Sequence, residues 1–505
     1  MIKLIYRIES DYMSKKRMLI VTSVTLSVVT ISLGIVKLYQ TYALSNYIGT
    51  VTDTGIDVYI NDDSYASIPA NGSSNVYYML TNTNPGTVKY GVAYQTTSGV
   101  TVKVYDTSED PATGTIEEND KKYIKLHLEN KNSTNKTIEL STVLGYENGG
   151  DLVVPSGVTL VTDTYTPPPT AAEYITKLYT TASKTTVTNN SITYNTAPSV
   201  SLMNDRLGGT TTDLDGGNIR YYGASPNNYI YFNCSDYSNQ TSSTCETWRI
   251  IGVFDGKLKL IRGSQIGTYS WDNKDTSTGA ESNFGKNDWT TARLMKLLNP
   301  SDYYTTDSND NNLGQGLYYN SASGKCYSGQ NNATVDCNFT STGIKNDITR
   351  NMIAETTYNL GGWNSNTVYP NLMYEKERGT TVYTGRPTTP WTGKIALAYP
   401  SDYGYAADLN QCKDKTLYDY DNRTCTSNNW MKAIITNNGS NSGWLLTPYC
   451  STSSNVWYVY PVGNVYFNYT VYSAFGAVPV LSLSSELGIE SGGDGSSSNP
   501  YKLSA

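Results

Sequence analysis

Apolar and polar positions follow three different rhythms along the chain. Residues 18–36 read MLIVTSVTLSVVTISLGIV, a run without charge. As a helix it is about 28 Å long, close to the roughly 30 Å core of a bilayer, and it predicts one transmembrane span. Residues 45–161 change to period-two alternation between turn clusters, with strands expected at 56–60, 75–81, 87–94, 101–105, 122–128, 137–144 and 157–161. In Tyr123-Ile124-Lys125-Leu126-His127-Leu128 the alternation places Ile124, Leu126 and Leu128 inward and Tyr123, Lys125 and His127 outward. These strands predict a β-sandwich.

Residues 162–172 read as a linker, because Pro167, Pro168 and Pro169 fix φ and hold the chain extended. Beyond it helices join the strands. Thr170 and Glu173 have capping-box spacing, and Ala171, Tyr174 or Ile175, Leu178 and Ala182 form the apolar stripe of a short helix. Further helices are expected at 288–298, 344–360 and 429–435. Asp255-Gly256 between the apolar runs 248–254 and 257–262 predicts a hairpin, since this pair supplies the positive φ of a type I′ turn. The last strands are expected at 444–446, 456–460, 464–467 and 479–483.

Composition adds compartment and exclusions. A chain of 505 residues has room for two to four domains, at about 150 residues each. The net charge of -7 gives no electrostatic footprint for nucleic acid. A single histidine, His127, rules out Ser-His-Asp triads and His-rich zinc sites needing a histidine elsewhere. A solvated strand position is the plain reading of His127, and pH sensing or metal binding the alternative. Lys3, Arg7, Lys15, Lys16 and Arg17 precede the span against Glu9 and Asp11, which keeps residues 1–17 cytoplasmic and sends the bulk of the chain out. A signal peptide cleaved after Thr41-Tyr42-Ala43 is the rival to a retained anchor. Six of the seven cysteines fall into local pairs, Cys234 with Cys245, Cys326 with Cys337 and Cys412 with Cys425, each bracketing a polar, turn-rich segment. Three disulfides stapling surface hairpins are expected in an oxidising compartment, against thiolate metal binding, for which the spacing is wrong. Cys450 is left over, as a buried thiol or a reactive position.

The anchor followed by a sandwich, with Tyr77-Tyr78-Met79-Leu80-Thr81-Asn82 and a second strand ending near Tyr94, resembles the exported matrix and spacer domains of Gram-positive surface proteins. The runs Gly443-Trp444-Leu445-Leu446-Thr447-Pro448, Val456-Trp457-Tyr458-Val459, Gly463 and Gly476-Ala477-Val478-Pro479-Val480-Leu481 resemble the C-terminal core of bacterial C-type-lectin-like domains. That core is shared with formylglycine-generating-enzyme-like folds and with variable target proteins of diversity-generating retroelements. Val478 stands where many members carry Arg before the Pro. The blocks 218–221, 248–262 and 394–407 resemble anchored surface proteins of gut Firmicutes and Mollicutes. Together the resemblances imply a mainly β protein with α+β character: a transmembrane helix (18–36), an Ig-like sandwich (45–161) and a disulfide-stapled, C-type-lectin-like α+β head (173–505).

In such a head the ligand surface is a set of loops on a strand platform, and Tyr, Ser and Asn suit it through contact area and adaptable hydrogen bonds. The candidate patch is Tyr449, Ser453, Asn455, Trp457, Tyr458, Tyr460, Asn464, Tyr466, Asn468, Tyr469 and Tyr472. By alternation one of Trp457 and Tyr458, and one of Tyr466 and Phe467, belongs to the core. In a retroelement target, adenine-directed mutagenesis diversifies such positions. Asp307 to Asn312 concentrates oxygen ligands, but Asn312 and Tyr318 stand where an EF-hand loop needs Gly and Glu, which favours a solvated turn over calcium; Trp271-Asp272-Asn273 and Asp419-Tyr420-Asp421-Asn422 read the same way. No other cofactor and no catalytic residue is expected, although a glycosidase needs only two carboxylates about 5–10 Å apart. The expected function is a single-pass, cell-surface binding or adhesion protein for an extracellular protein or glycan. A pilin-like or matrix subunit and a glycan-active hydrolase are the alternatives.

Overall fold

The computed structural model describes residues 42–44, 65–82, 86–146, 152–209, 213–273, 284–305, 313–330, 332–383 and 389–504. The expected span at 18–36, the strand at 56–60 and the oxygen-rich run at 307–312 lie outside the described residues. Among the described residues no helix is long and apolar enough to cross a membrane. The protein is mainly β and divides into two compact units, Met1–Pro168 and Pro169–Ala505, so the boundary falls within the expected linker.

In the first unit, one sheet runs in the order Tyr42–Leu44, Gly72–Thr81, Lys121–Asn130, Val100–Tyr105, Thr164–Tyr165. A second runs Tyr65–Ile68, Lys136–Tyr146, Val88–Gln95, Thr113–Ile116, with Val158–Leu160 also on Val88–Gln95. Both sheets turn their apolar faces into one core, where Val76, Tyr78, Leu126 and Leu128 of the first meet Tyr90, Val92, Ile138 and Leu140 of the second. Within the described residues the alternating runs thus form strands where expected. Tyr65–Ile68 and Thr113–Ile116, four residues each, escape a period-two reading because they are too short to show a period.

His127 is not a solvated strand residue. Thr164–Tyr165 pairs in parallel with Val100–Tyr105, and Tyr165 lies flat on the imidazole at 3.6 Å between centroids. Tyr105 meets the imidazole edge-on, Asn75 Oδ1 lies 2.8 Å from Nδ1, and His127 is only 8% exposed. The segment read as a stiff, extended linker is therefore partly an edge strand of the sheet, whose Tyr165 covers His127.

In the second unit, the helix Ala171–Thr181 opens with the expected capping box: Thr170 Oγ1 accepts Glu173 N at 3.2 Å, and Glu173 Oε2 accepts Thr170 N at 2.8 Å. A nine-stranded sheet follows in the order Thr185–Asn189, Ile192–Ala197, Leu202–Asn204, Ile219–Tyr221, Glu246–Phe254, Lys257–Arg262, Val480–Ser482, Ile395–Ala396, with Tyr229–Phe232 also on Glu246–Phe254. Its central hairpin turns at Asp255 (φ 49°) and Gly256 (φ 70°), the positive pair that a type I′ turn requires. A five-stranded sheet, Thr268–Ser270, Ala474–Gly476, Gly443–Pro448, Val456–Val459, Val465–Tyr466, carries the C-terminal runs.

Two helices are shorter than their sequence pattern. The helix expected at 288–298 is only Arg293–Leu298: the Arg293 N–H, which a continuous helix would aim at Trp289 O, goes instead to Asp272 Oδ1. The one expected at 344–360 is Asp347–Met352, after which Thr356–Tyr358 pairs with Trp391–Gly393 as a strand. The helix expected at 429–435 forms as Trp430–Ile435, with Asn429 as its cap. All three expected disulfides form. Only Cys326–Cys337 joins the strands of a hairpin, Ser323–Tyr327 and Thr334–Asn338. Cys234–Cys245 closes a segment containing the 3-10 turn Tyr237–Asn239, and Cys412–Cys425 reaches the short helix Arg423–Ser427.

An ion network is sealed inside this unit. Asp402 accepts from Arg220 Nη1 at 2.9 Å, Lys259 Nζ at 2.5 Å and Tyr399 N at 3.0 Å, while Arg220 Nε reaches Asp205 at 2.6 Å. Burial alone would push the Asp402 carboxyl up, but Lys259 and Arg220 outweigh it and hold it down at about 2. Nearby Glu377 accepts from Ser401 N and Oγ; burial, only partly offset by Arg378 and Ser401, pushes it up to about 7.

Three outcomes follow from these burials. Burial lowers the His127 pKa below its ordinary 6.5, so stability present above that pH is lost as pH falls through the lowered value. Proton NMR of this single imidazole should give a midpoint below 6.5, and Tyr165→Ala should move it up toward 6.5. All eight tryptophans lie in the second unit, so their fluorescence reports its unfolding alone. Asp402→Asn leaves two buried cations short of charge and should lower stability by about 3–5 kcal/mol in urea titrations followed by that signal. The folded pKa of Glu377, raised from 4.5 to about 7, means that the native state holds a proton the unfolded chain releases, so stability declines as pH rises through that window. Glu377→Gln should remove that decline, worth on the order of 3 kcal/mol between pH 5 and pH 8.

Candidate functional site

The strands Gly443–Pro448 and Val456–Val459 are buried on both faces. Trp444, Leu446, Val456 and Tyr458 belong to one core, and Leu445, Trp457 and Val459 to another. Trp457 and Tyr458, at 0% and 1% exposure, are therefore both interior and not ligand contacts, contrary to the alternation that put one of them outside. Asn464 is buried too, in the turn before Val465–Tyr466.

Around this platform the remaining candidates separate into a pinned loop and an open face. In the loop, Asn287 Nδ2 donates to the carbonyls of Tyr449, Thr452 and Asn455 at 3.0, 2.9 and 2.7 Å. Asn287 N donates to Ser453 O at 2.8 Å, and Asn455 Nδ2 to Phe467 O at 3.0 Å. Ser453 and Asn455 are half-buried and serve loop shape. Tyr449 stacks on Phe467 at 4.0 Å, and Cys450, half-buried, donates its thiol to Thr381 O at 3.3 Å. Asn287 is the organiser of this loop, and nothing in its local sequence marks it.

The open face is aromatic. Tyr460 and Tyr469 are 42% and 45% exposed, with Val462 at 52% beside Tyr460 in sequence. Half-buried Tyr466 joins the rings: its hydroxyl donates to that of Tyr418 at 2.9 Å, and its ring lies 5.1 Å from Tyr418, 6.3 Å from Tyr460 and 6.4 Å from Tyr458. Tyr458 continues the chain of rings to Tyr469 at 5.6 Å, and its hydroxyl donates to the exposed Asn468. Phe475 closes it, 5.1 Å from both Tyr458 and Tyr469. Tyr472 stands apart from this chain, its ring beside Phe284. Tyr418 was missed in the sequence; it comes from the 3-10 turn Leu417–Asp421, where buried Leu417 and Tyr420 flank it as the one aromatic pointing out. Among the described residues no Lys or Arg sits over the rings of Tyr418, Tyr460, Tyr466 or Tyr469. The face is thus contact area without a cation over its rings, with hydroxyls at its rim.

Charged chemistry lies elsewhere. Among the described residues no group of three or more His, Cys, Asp or Glu is arranged to hold a metal ion. Asp272 caps backbone, accepting from Lys286 N and Arg293 N, and its burial pushes the carboxyl up to about 6. Asp419 accepts from Thr416 Oγ1 at 2.7 Å. Asp402 and Glu377 are inside the protein and occupied by Arg220, Lys259 and Ser401. The chain matches no protein-family model, no curated protein and no solved structure.

Proposed function

We propose that the chain is a cell-surface binding protein. Residues 18–36 anchor it by a single pass, the two-sheet first unit is an Ig-like stalk, and the second unit is a C-type-lectin-like head that presents its tyrosine face to an extracellular protein or glycan. One observation carries the reading: Tyr418, Tyr460 and Tyr469 stay exposed, the first two joined through half-buried Tyr466, although the sheet beneath them is buried on both sides. Contiguous exposed apolar surface is a cost to a soluble unit and marks contact sites. Tyrosine gives large contact area for two side-chain torsions, and a platform that cannot repack spares the ligand any ordering cost. The three disulfides fit an extracellular location.

A screen of the full chain against glycan and protein arrays should return a ligand whose affinity falls about fivefold or more with each of Tyr418→Ala, Tyr460→Ala and Tyr469→Ala. The tryptophan-monitored unfolding midpoint should not move, and Tyr472→Ala, outside the chain of rings, should bind as the parent does. Ligand binding that ignores the three tyrosines refutes the assignment of this face.

A further inference from the structure

A cleft opens at the edge of the nine-stranded sheet, between the hairpin of Thr185–Asn189 with Ile192–Ala197 and residues 408–410. Its volume is about 230 Å³. Both walls are fixed: Asn189 Nδ2 donates to the carbonyls of Leu409 and Cys412 at 3.3 and 3.2 Å, and Cys412 is tied to Cys425. Buried Met203 and Leu409 form an apolar floor within the small core of Tyr194, Tyr374 and Tyr405. The cleft therefore persists without a ligand.

Its polar lining is uncommitted where it counts. Thr185 and Thr196 bond each other, and one Asp408 oxygen accepts Asn410 N at 2.9 Å. The second Asp408 oxygen, the Asn410 amide and the Thr186 hydroxyl have no hydrogen-bond partner among the described residues. Asp408 is the one charged residue of the lining, so an anion is repelled. A carboxylate that only accepts, beside an amide and hydroxyls that both donate and accept, matches a ligand bearing several hydroxyls. At roughly 30 Å³ per water the cleft holds about eight waters, and it falls short of the roughly 300 Å³ at which drug-sized sites begin. That is the size of one ring. A quaternary ammonium calls for an aromatic cage, and Tyr222 is the one ring in the lining, while a primary ammonium would satisfy Asp408 and leave Asn410 and Thr186 unused.

We propose that this cleft binds a single neutral sugar ring or a cyclic polyol of that size. The apolar floor takes the C–H face, and Asp408, Asn410 and Thr186 take the hydroxyls. The site shares no residue with the tyrosine face, and either can stand if the other fails.

Saturation-transfer NMR on the full chain tests this with glucose, galactose, N-acetylglucosamine and myo-inositol as neutral probes, galacturonate as the anion and glucosamine as the amine. At least one neutral probe should bind, and galacturonate should not. Asp408→Asn, which keeps the bond to Asn410 N, should weaken binding about tenfold or more. Thr186→Trp, on an exposed strand position, should fill the cleft and abolish binding without moving the tryptophan-monitored unfolding midpoint. Tyr460→Ala and Tyr469→Ala should leave these probes unaffected. Absence of transfer to every neutral probe overturns the proposal. So does binding that survives both cleft variants, or tighter binding of glucosamine or galacturonate than of any neutral probe.

Discussion

The second unit depends on one arrangement: two cations, on the strands either side of Glu246–Phe254, that reach the same buried carboxylate across its glycine. Arg220 and Lys259 both pair with Gly252, from opposite sides, so the three form a row across the sheet on one face. A side chain at the middle position would stand between the cations, and a Cβ at Gly252 would lie 2.1 Å from Ile219 O. The glycine lets Arg220 and Lys259 converge on Asp402, while Asp205 holds the other side of the guanidinium. Taking four charges out of water is expensive, and the desolvation penalty offsets much of the attraction. What the network contributes is register. A slip of one residue would turn Arg220 to the opposite face, leaving Asp402 with Lys259 alone and Asp205 buried without its cation.

That register is transmitted to the tyrosine face by hydrogen bonds. Asp402 sits in the first turn of the helix Pro400–Tyr405, where it accepts the Tyr399 N–H. One residue on, the Tyr403 hydroxyl donates to Gly463 O at 2.6 Å. Gly463, at φ 115°, makes the turn between Val456–Val459 and Val465–Tyr466 that carries Tyr460 and Val462 into solvent. A Cβ there would also lie 2.5 Å from Thr426 Cγ2. The most exposed part of the face is thus set on a turn fixed from within, by a helix that the buried ions hold to the central hairpin.

Local chemistry was legible in the sequence and long-range chemistry was not. The Asp255-Gly256 turn, the Thr170 capping box and the three cysteine pairs are decided by residues within fourteen positions of each other, and they form as read. His127 failed because its cover, Tyr165, arrives from another strand. Trp457 and Tyr458 failed because a strand buried on both faces carries no alternation to read. Helix length failed at 288–298 because Asp272, from a distant segment, took the Arg293 N–H that a continuous helix would use. The ion network was present in blocks 218–221, 248–262 and 394–407 as likeness alone, since Arg220 and Asp402 are 182 positions apart and nothing local marks them as partners.

Tyrosine is the residue on which sequence reading is weakest here, and the reason is physical. With 45 Tyr against 6 Phe, the chain uses tyrosine both as its large core residue and as its surface contact. Inside, several hydroxyls find backbone acceptors: Tyr399 donates to Asn359 O, Tyr403 to Gly463 O and Tyr420 to Gly404 O. Each such bond ties a loop to the core, so these tyrosines specify connections that Phe could not. On the surface the same side chain offers ring area and a wet hydroxyl. Composition cannot separate the two uses, because they differ in what lies across from the ring. At 418, 460 and 469 it is solvent, and at 399, 403 and 420 a carbonyl from a distant segment, which makes the outer face readable only once the inner bonds are known.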